Sequence, residues 1–185
     1  YVAKIAIPIV IQNMITNFVS LLDNIMVGGI GTEQMTGVAI VNQLMFVFNL
    51  AMFGAVSGPG IFTAQYYGKG DNEGVRHTMR FKIMISALIL AAGFLVFELF
   101  GASLIELFMT ETDVSLDYGA TLQYAEDYLA VMLIGLVPFT FSTAYSGTLR
   151  ETGQTRVPMI AGIVATLINL GLNYVLIFGH FGAPR

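Results

Sequence analysis

Residues 5–27 form an apolar run with a carboxylate, Asp23, and a proline, Pro8, set inside it. A membrane-crossing helix needs ~20 such residues, so the run is long enough to span a bilayer. Wound at ~100° per residue, its polar side chains sort to one side. Gln12, Thr16 and Asp23 make one edge of that face, and Asn13, Asn17, Ser20 and Asn24 make the other. Ile11, Met14, Ile15, Phe18, Leu21, Leu22 and Ile25 occupy the opposite side. A helix surrounded by lipid has no cause to sort its residues, so the polar face is expected to meet other helices or water.

The remainder of the chain repeats the apolar theme. Of its 185 residues, 56% are hydrophobic and 11% charged, whereas soluble domains carry roughly a quarter charged residues. The expected class is an all-α integral membrane protein. Spans are expected at about 5–27, 34–67, 79–100, 122–149 and 157–178. The second overshoots a ~30 Å hydrocarbon core, so it is expected to tilt, to extend past the membrane, or to break at Ser57-Gly58-Pro59-Gly60. Between the third and fourth spans, residues 103–119 with Glu106, Glu111, Asp113 and Asp117 are too polar to cross and are expected to form an interfacial helix and a loop. Without cysteine, thiol catalysis and Cys-ligated metals are excluded. His77 and His180 form no ligand cluster, and no metal site is expected.

Charge orients the spans. Lys4, Lys69, Arg76, Arg80, Lys82, Arg150 and Arg156 fall on one side of a five-span topology, and only Arg185 falls on the other. The positive-inside rule makes the basic side cytoplasmic and places the N-terminus there. The basic residues of 69–82 are read as topological and not as a nucleic-acid patch. Asp23 lies 19 residues beyond Lys4, or ~28 Å along a helix, which is the outer half of the membrane. Asn169 and Asn173 lie 11 and 15 residues after Pro158, at ~16 and ~22 Å. Thr166 joins them on one stripe, and Asn42 and Asn49 share a face of the second span. These groups are expected to line a water-filled cavity in the outer half.

The turn sequences point to a family. The first span ends Leu22-Asp23-Asn24-Ile25-Met26-Val27-Gly28, and the second ends Ala64-Gln65-Tyr66-Tyr67-Gly68-Lys69-Gly70-Asp71. The fourth leads into the fifth through Leu149-Arg150-Glu151-Thr152-Gly153-Gln154-Thr155-Arg156-Val157-Pro158, and Asn169-Leu170-Gly171-Leu172-Asn173-Tyr174 follows. In that order these resemble the N-terminal lobe of the multidrug and toxic compound extrusion (MATE) family. The resemblance implies five helices of a six-helix lobe, half of a twelve-helix transporter whose C-terminal lobe is not in this sequence. It implies a partial lobe over residues 1–185 in the plasma membrane, exporting small organic cations or amphipathic drugs in exchange for H⁺ or Na⁺, with no other cofactor.

In the family the acid matching Asp23 is associated with cation coupling. Some branches add a second acid on the fifth helix, where this chain has Asn173. The candidate coupling residues are therefore Asp23, Asn169, Asn173 and Thr16, and the candidate substrate cavity comprises Asn13, Asn17, Gln43 and Asn49. A proton needs one carboxyl in an apolar setting, whereas Na⁺ needs several neutral oxygens beside it; the loss of the second acid tilts the balance towards H⁺ and leaves Na⁺ open. Pro8 and Pro138 are expected to kink their helices. Met14, Met26, Met45 and Met52 are read as lipid-facing filler ahead of an adaptable substrate wall.

Other classes fit less well. An intramembrane aspartyl enzyme needs two close carboxylates, and only Asp23 lies well inside a span. A channel needs a filter motif. A flippase for lipid-linked oligosaccharides or peptidoglycan precursors, from the wider superfamily, needs cavity cations, and no Lys or Arg stands mid-span.

Overall fold

Hydrocarbon offers no partner for a backbone N–H or C=O, so a spanning segment must satisfy its own. The computed structural model, which describes residues 2–29, 31–109 and 117–178, is built accordingly: α1 (Val2–Gly28), α2 (Thr32–Gly68), α3 (Asn72–Met109), α4 (Tyr118–Glu151) and α5 (Arg156–Phe178). Each is long and apolar enough to cross a membrane. The side chains of Val2, Lys4, Ile5, Asp23, Val27, Ile177 and Phe178 lie outside this description, as do Glu111, Asp113, His180 and Arg185.

Of the outcomes expected for the second span, a break is ruled out: α2 runs unbroken through Ser57–Gly60, with Pro59 inside it, and its 37 residues measure ~56 Å. One boundary differs from expectation. Residues 103–109, expected in a separate interfacial helix, continue α3, which has 38 residues, or ~57 Å. Pro8 and Pro138 likewise sit inside continuous helices. A proline removes one ladder hydrogen bond, but extending a helix past it leaves fewer orphans than ending the helix there.

The connections are short because their sequences cap both neighbours. After α2, Asp71 N–H donates to the Tyr66 carbonyl at 2.9 Å and Gly70 N–H to that of Tyr67 at 3.0 Å. Gly70 takes φ +74°, the left-handed residue that closes a Schellman motif. Asp71 then caps α3, its Oδ1 accepting from Gly74 N–H at 2.9 Å. Asp117 does the same for α4, accepting from Gly119 and Ala120 N–H at 3.0 and 3.2 Å.

The described chain forms two compact units, one of α2, α3 and α4 and the other of α1 and α5. In the three-helix unit, α2 buries Val41, Leu44, Phe48, Met52 and Val56 on one stripe. They pack against Phe97, Ile105 and Met109 of α3 and Ala125, Leu129, Leu133 and Leu136 of α4. Met45 and Met52 belong to this core, at 5% and 0% exposure, and are not lipid-facing filler. Unbranched methionines fill irregular space between close helices.

Small residues set the spacing, as is usual between membrane helices. A Cβ on Gly37 would stand 3.1 Å from the backbone nitrogen of Ala125. The Phe48 ring covers Gly93 and meets Phe97 with 6.4 Å between ring centroids. Fifteen residues along α2 from Phe48, Thr63 donates to Thr78 at 3.0 Å, fifteen residues back along α3 from Gly93. α2 and α3 therefore keep one antiparallel register between these contacts.

A buried ion pair ties α3 to α4. Lys82 Nζ, with no exposure, donates to Glu151, whose side chain is 19% exposed. It also lies 3.4 Å from Thr148 Oγ1. Glu151 rests over Gly60 of α2, where any Cβ would collide with the carboxylate. Lys82 is thus a paired, buried cation inside the unit, a contact that counting cations by side does not register.

Removing one partner of a buried pair costs about 3–5 kcal/mol, whereas replacing both with apolar groups is often neutral. Glu151→Gln strands a fully buried ammonium and should lower thermal stability in detergent by that order. Lys82→Met leaves a partly exposed carboxylate and should cost less. Lys82→Met combined with Glu151→Leu should recover most of the loss; three equal, small shifts in Tm would contradict this account.

Candidate functional site

The sequence-nominated coupling residues lie on α1 and α5, which pack together. On α1 the described positions that are not exposed are Ile9 and the series Pro8, Gln12, Ile15, Val19, Leu22 and Met26. The series recurs every three or four residues, one face of a helix. The matching stripe starts at Thr155, just before α5, and continues along it through Pro158, Gly162, Thr166, Leu170 and Asn173. Gln12 is the polar member of the α1 stripe, and its side chain lies over Gly162: a Cβ there would come within 3.1 Å of Gln12 Cδ. Glycine lets a long amide fit between the two helices.

That contact sets a register. As first and fifth crossings, α1 and α5 run in the same direction. Residue 23 lies 11 residues beyond Gln12, and Asn173 lies 11 beyond Gly162. At ~1.5 Å per residue both are ~16 Å further along their helices, at one level. Residue 23 also stands on the helix edge that starts with Gln12, although the Asp23 side chain lies outside the described residues.

On α5 the two asparagines are joined: Asn173 Nδ2 donates to Asn169 Oδ1 at 3.3 Å. Asn169 is exposed, and Asn173 and Thr166 are half-buried. Amides one turn apart offer neutral oxygens to a cation or hydrogen bonds to a carboxyl group. Thr16, Asn13 and Asn17 are exposed, off the buried stripe of α1. The polar face of α1 is therefore not what packs against α5; apart from Gln12 that stripe is apolar.

Gln43 and Asn49 are exposed on α2, in the other unit. They are six residues apart, which is ~120° around a helix. Asn42 and Asn49, seven apart, share a face. Pro8 is buried and Pro138 exposed.

Sequence reasoning missed the Lys82–Glu151–Thr148 cluster. The available signal was a lysine followed by a long uncharged stretch, 83–97, opposite a helix that ends in an acid. Charge counting by side does not register such a pairing. It also missed the buried hydroxyls of Ser86 and Thr140, which have no hydrogen-bond partner among the described residues.

Comparison with known proteins gives a consistent picture. The MatE family model matches residues 8–175. A probable multidrug resistance protein NorM of Thermotoga maritima is 27% identical over 98% of this chain and 38% of its own length. That of Bacillus thuringiensis subsp. konkukian is 30% identical over 99% and 39%. The chain thus spans well under half the length of these relatives. A MOP superfamily transporter from Pyrococcus furiosus, in a study reporting reverse polarity of its binding pocket and suggesting a different function, superposes with a TM-score of 0.83 over 97% of this chain at 22% identity. An outward-facing multidrug resistance MATE family transporter of the same superfamily gives 0.72 over 97%, also at 22% identity. Each structure is covered to 38–39% of its length, and at this identity they show the fold.

The Gln12–Gly162 contact is testable by a double-mutant cycle. Gly162→Ala should destabilise the protein by about 1–3 kcal/mol, the usual cost of overpacking. In a Gln12→Ala background the same change should cost much less. Equal costs in both backgrounds, read from thermal unfolding in detergent, would remove this contact as the register-setting feature.

Proposed function

The chain belongs to the MatE family, and on that premise we propose that it forms part of the N-terminal lobe of a cation-coupled exporter of organic cations or amphipathic drugs. The C-terminal lobe of the same polypeptide would complete the substrate cleft. The transporter works in the plasma membrane, with the basic ends of the helices, and hence the N-terminus, on the cytoplasmic side. It moves cargo by alternating access, not by chemical conversion.

One observation carries the coupling assignment: the register puts an intramembrane acid position, 23, level with the hydrogen-bonded Asn169–Asn173 pair. Ionisable residues inside a span are costly and generally mark ion or substrate paths. In this reading Asp23 takes up H⁺ from the outside, and its neutralisation changes which neighbours its end of α1 favours. The Asn pair contributes neutral hydrogen-bonding groups, and Pro8 lets the outer part of α1 shift. Na⁺ would use the same carboxylate with amide oxygens around it. Lys82, turned to Glu151 and without exposure, is unavailable to an anionic substrate, which favours cationic cargo over a flippase for lipid-linked precursors.

The test uses the full-length protein in inverted membrane vesicles with a fluorescent organic cation. Under an imposed proton gradient, Asp23→Asn should reduce transport tenfold or more. Unchanged, gradient-dependent transport in the variant would end the coupling assignment. Transport driven by Na⁺ with the proton gradient collapsed would move the assignment from H⁺ to Na⁺. Asn173→Asp, which supplies a second acid at the same level, should increase Na⁺ dependence.

A further inference from the structure

A groove of about 480 Å³ opens on the α2–α3 hairpin, far from the α1–α5 contact in sequence. That volume lies within the ~300–1,000 Å³ range of small-molecule sites. Gly58, Pro59, Phe62 and Tyr66 of α2 form one wall, and His77 and Phe81 of α3 the other. Gly58 leaves open space where a side chain would stand. Thr78 also lines the groove, but its hydroxyl is engaged: it donates towards the carbonyls of Gly74 and Val75 and accepts from Thr63. The interior is therefore apolar in character. The other lining residues that carry polar side-chain groups are Tyr66 and His77. Phe62 and Phe81 are 56% and 51% exposed, so two phenyl rings face outward.

The level of the groove identifies its surroundings. Arg80 is exposed, and no charged residue follows Lys82 until Glu98. Arg80 therefore marks where α3 enters hydrocarbon. Aromatic rings and basic residues together are characteristic of the membrane–water boundary. Lys69, Arg76 and Arg80 are exposed on this hairpin, alongside the acids Asp71 and Glu73. Asp71 is occupied in capping α3, and both acids lie at the turn, outward of the groove along the chain. Arg80 does not line the groove; it is exposed within one turn of α3 from His77 and Phe81, which do.

We propose that this groove binds an anionic phospholipid of the cytoplasmic leaflet, its phosphate between Arg80, His77 and Tyr66 and its acyl chain against Phe62, Phe81 and the open face at Gly58. The apolar interior excludes a soluble anion as the main occupant, and the exposed cations of the same hairpin, Arg76 and Arg80, favour an anionic over a zwitterionic headgroup. The site rests on the membrane-spanning fold and the orientation proposed above, and does not depend on the transported cargo.

The experiment is lipid retention by the full-length protein. Protein in nanodiscs of mixed phosphatidylglycerol and phosphatidylcholine is extracted into detergent, and its bound lipid is measured by native mass spectrometry. Wild type should retain one phosphatidylglycerol in preference to phosphatidylcholine. Arg80→Gln with His77→Ala, both at exposed positions, should reduce retention about tenfold. Arg156→Gln removes an exposed cation elsewhere at the basic end and should leave retention unchanged. Equal retention of the two lipids, retention unaffected by the double change, or an equal loss in Arg156→Gln would overturn the proposal. So would a wild type that retains no lipid, the result expected if the rest of the polypeptide covers the groove.

Discussion

The constraint on which this structure depends is the absence of any hydrogen-bond partner in hydrocarbon. Every backbone amide within the bilayer must be paired inside its own segment, and an α-helix does this for all but its ends. The consequence is visible at the prolines. Pro8, Pro59 and Pro138 each remove a ladder bond, yet α1, α2 and α4 continue past them. A break would have exposed several unpaired groups in place of one. The same accounting explains the turn after α2, where Gly70 and Asp71 satisfy the end of one helix and the start of the next.

Once backbones are satisfied internally, apolar burial no longer separates one helix arrangement from another, because lipid is as apolar as a core. Close fit and polar contacts decide instead. In the three-helix unit the fit comes from Gly37, Gly93 and Gly60 lying under partners on neighbouring helices, and the polar contacts from Thr63–Thr78 and Lys82–Glu151. Gly60 and the ion pair are one feature: the carboxylate reaches Lys82 through space that only a glycine leaves free. In the α1–α5 unit Gln12 and Gly162 follow the same rule with an amide in place of a charge. Here the contact also sets a register, and the register brings position 23 level with Asn173.

Much of the fold could be read from sequence alone. Five apolar runs, the sorting of charge and the turn motifs led to five helices and to the family. The candidate site was partly legible. Asn169 and Asn173 were placed with Thr166 on one stripe of the fifth span, and the two amide side chains meet. Gln43 and Asn49, named with Asn13 and Asn17 as a substrate cavity, stand ~120° apart around α2 in the unit that does not contain α1. Met45 and Met52 were assigned to lipid because hydropathy does not distinguish a lipid-facing methionine from a core one.

What the sequence determined by itself was everything set by periodicity and composition: helices as the only spanning structure, their order and the helix ends at which cations accumulate. Each follows from interactions within one segment or between a segment and its solvent. What the tertiary structure alone decided was pairing. That Lys82 faces Glu151, that Gln12 covers Gly162 and that a groove opens between Phe62 and Phe81 depend on which residues of different helices reach the same depth. A shift of one helical turn would preserve every hydrophobic pattern and lose all three, because a pattern repeating every three to four residues specifies a face and not a height.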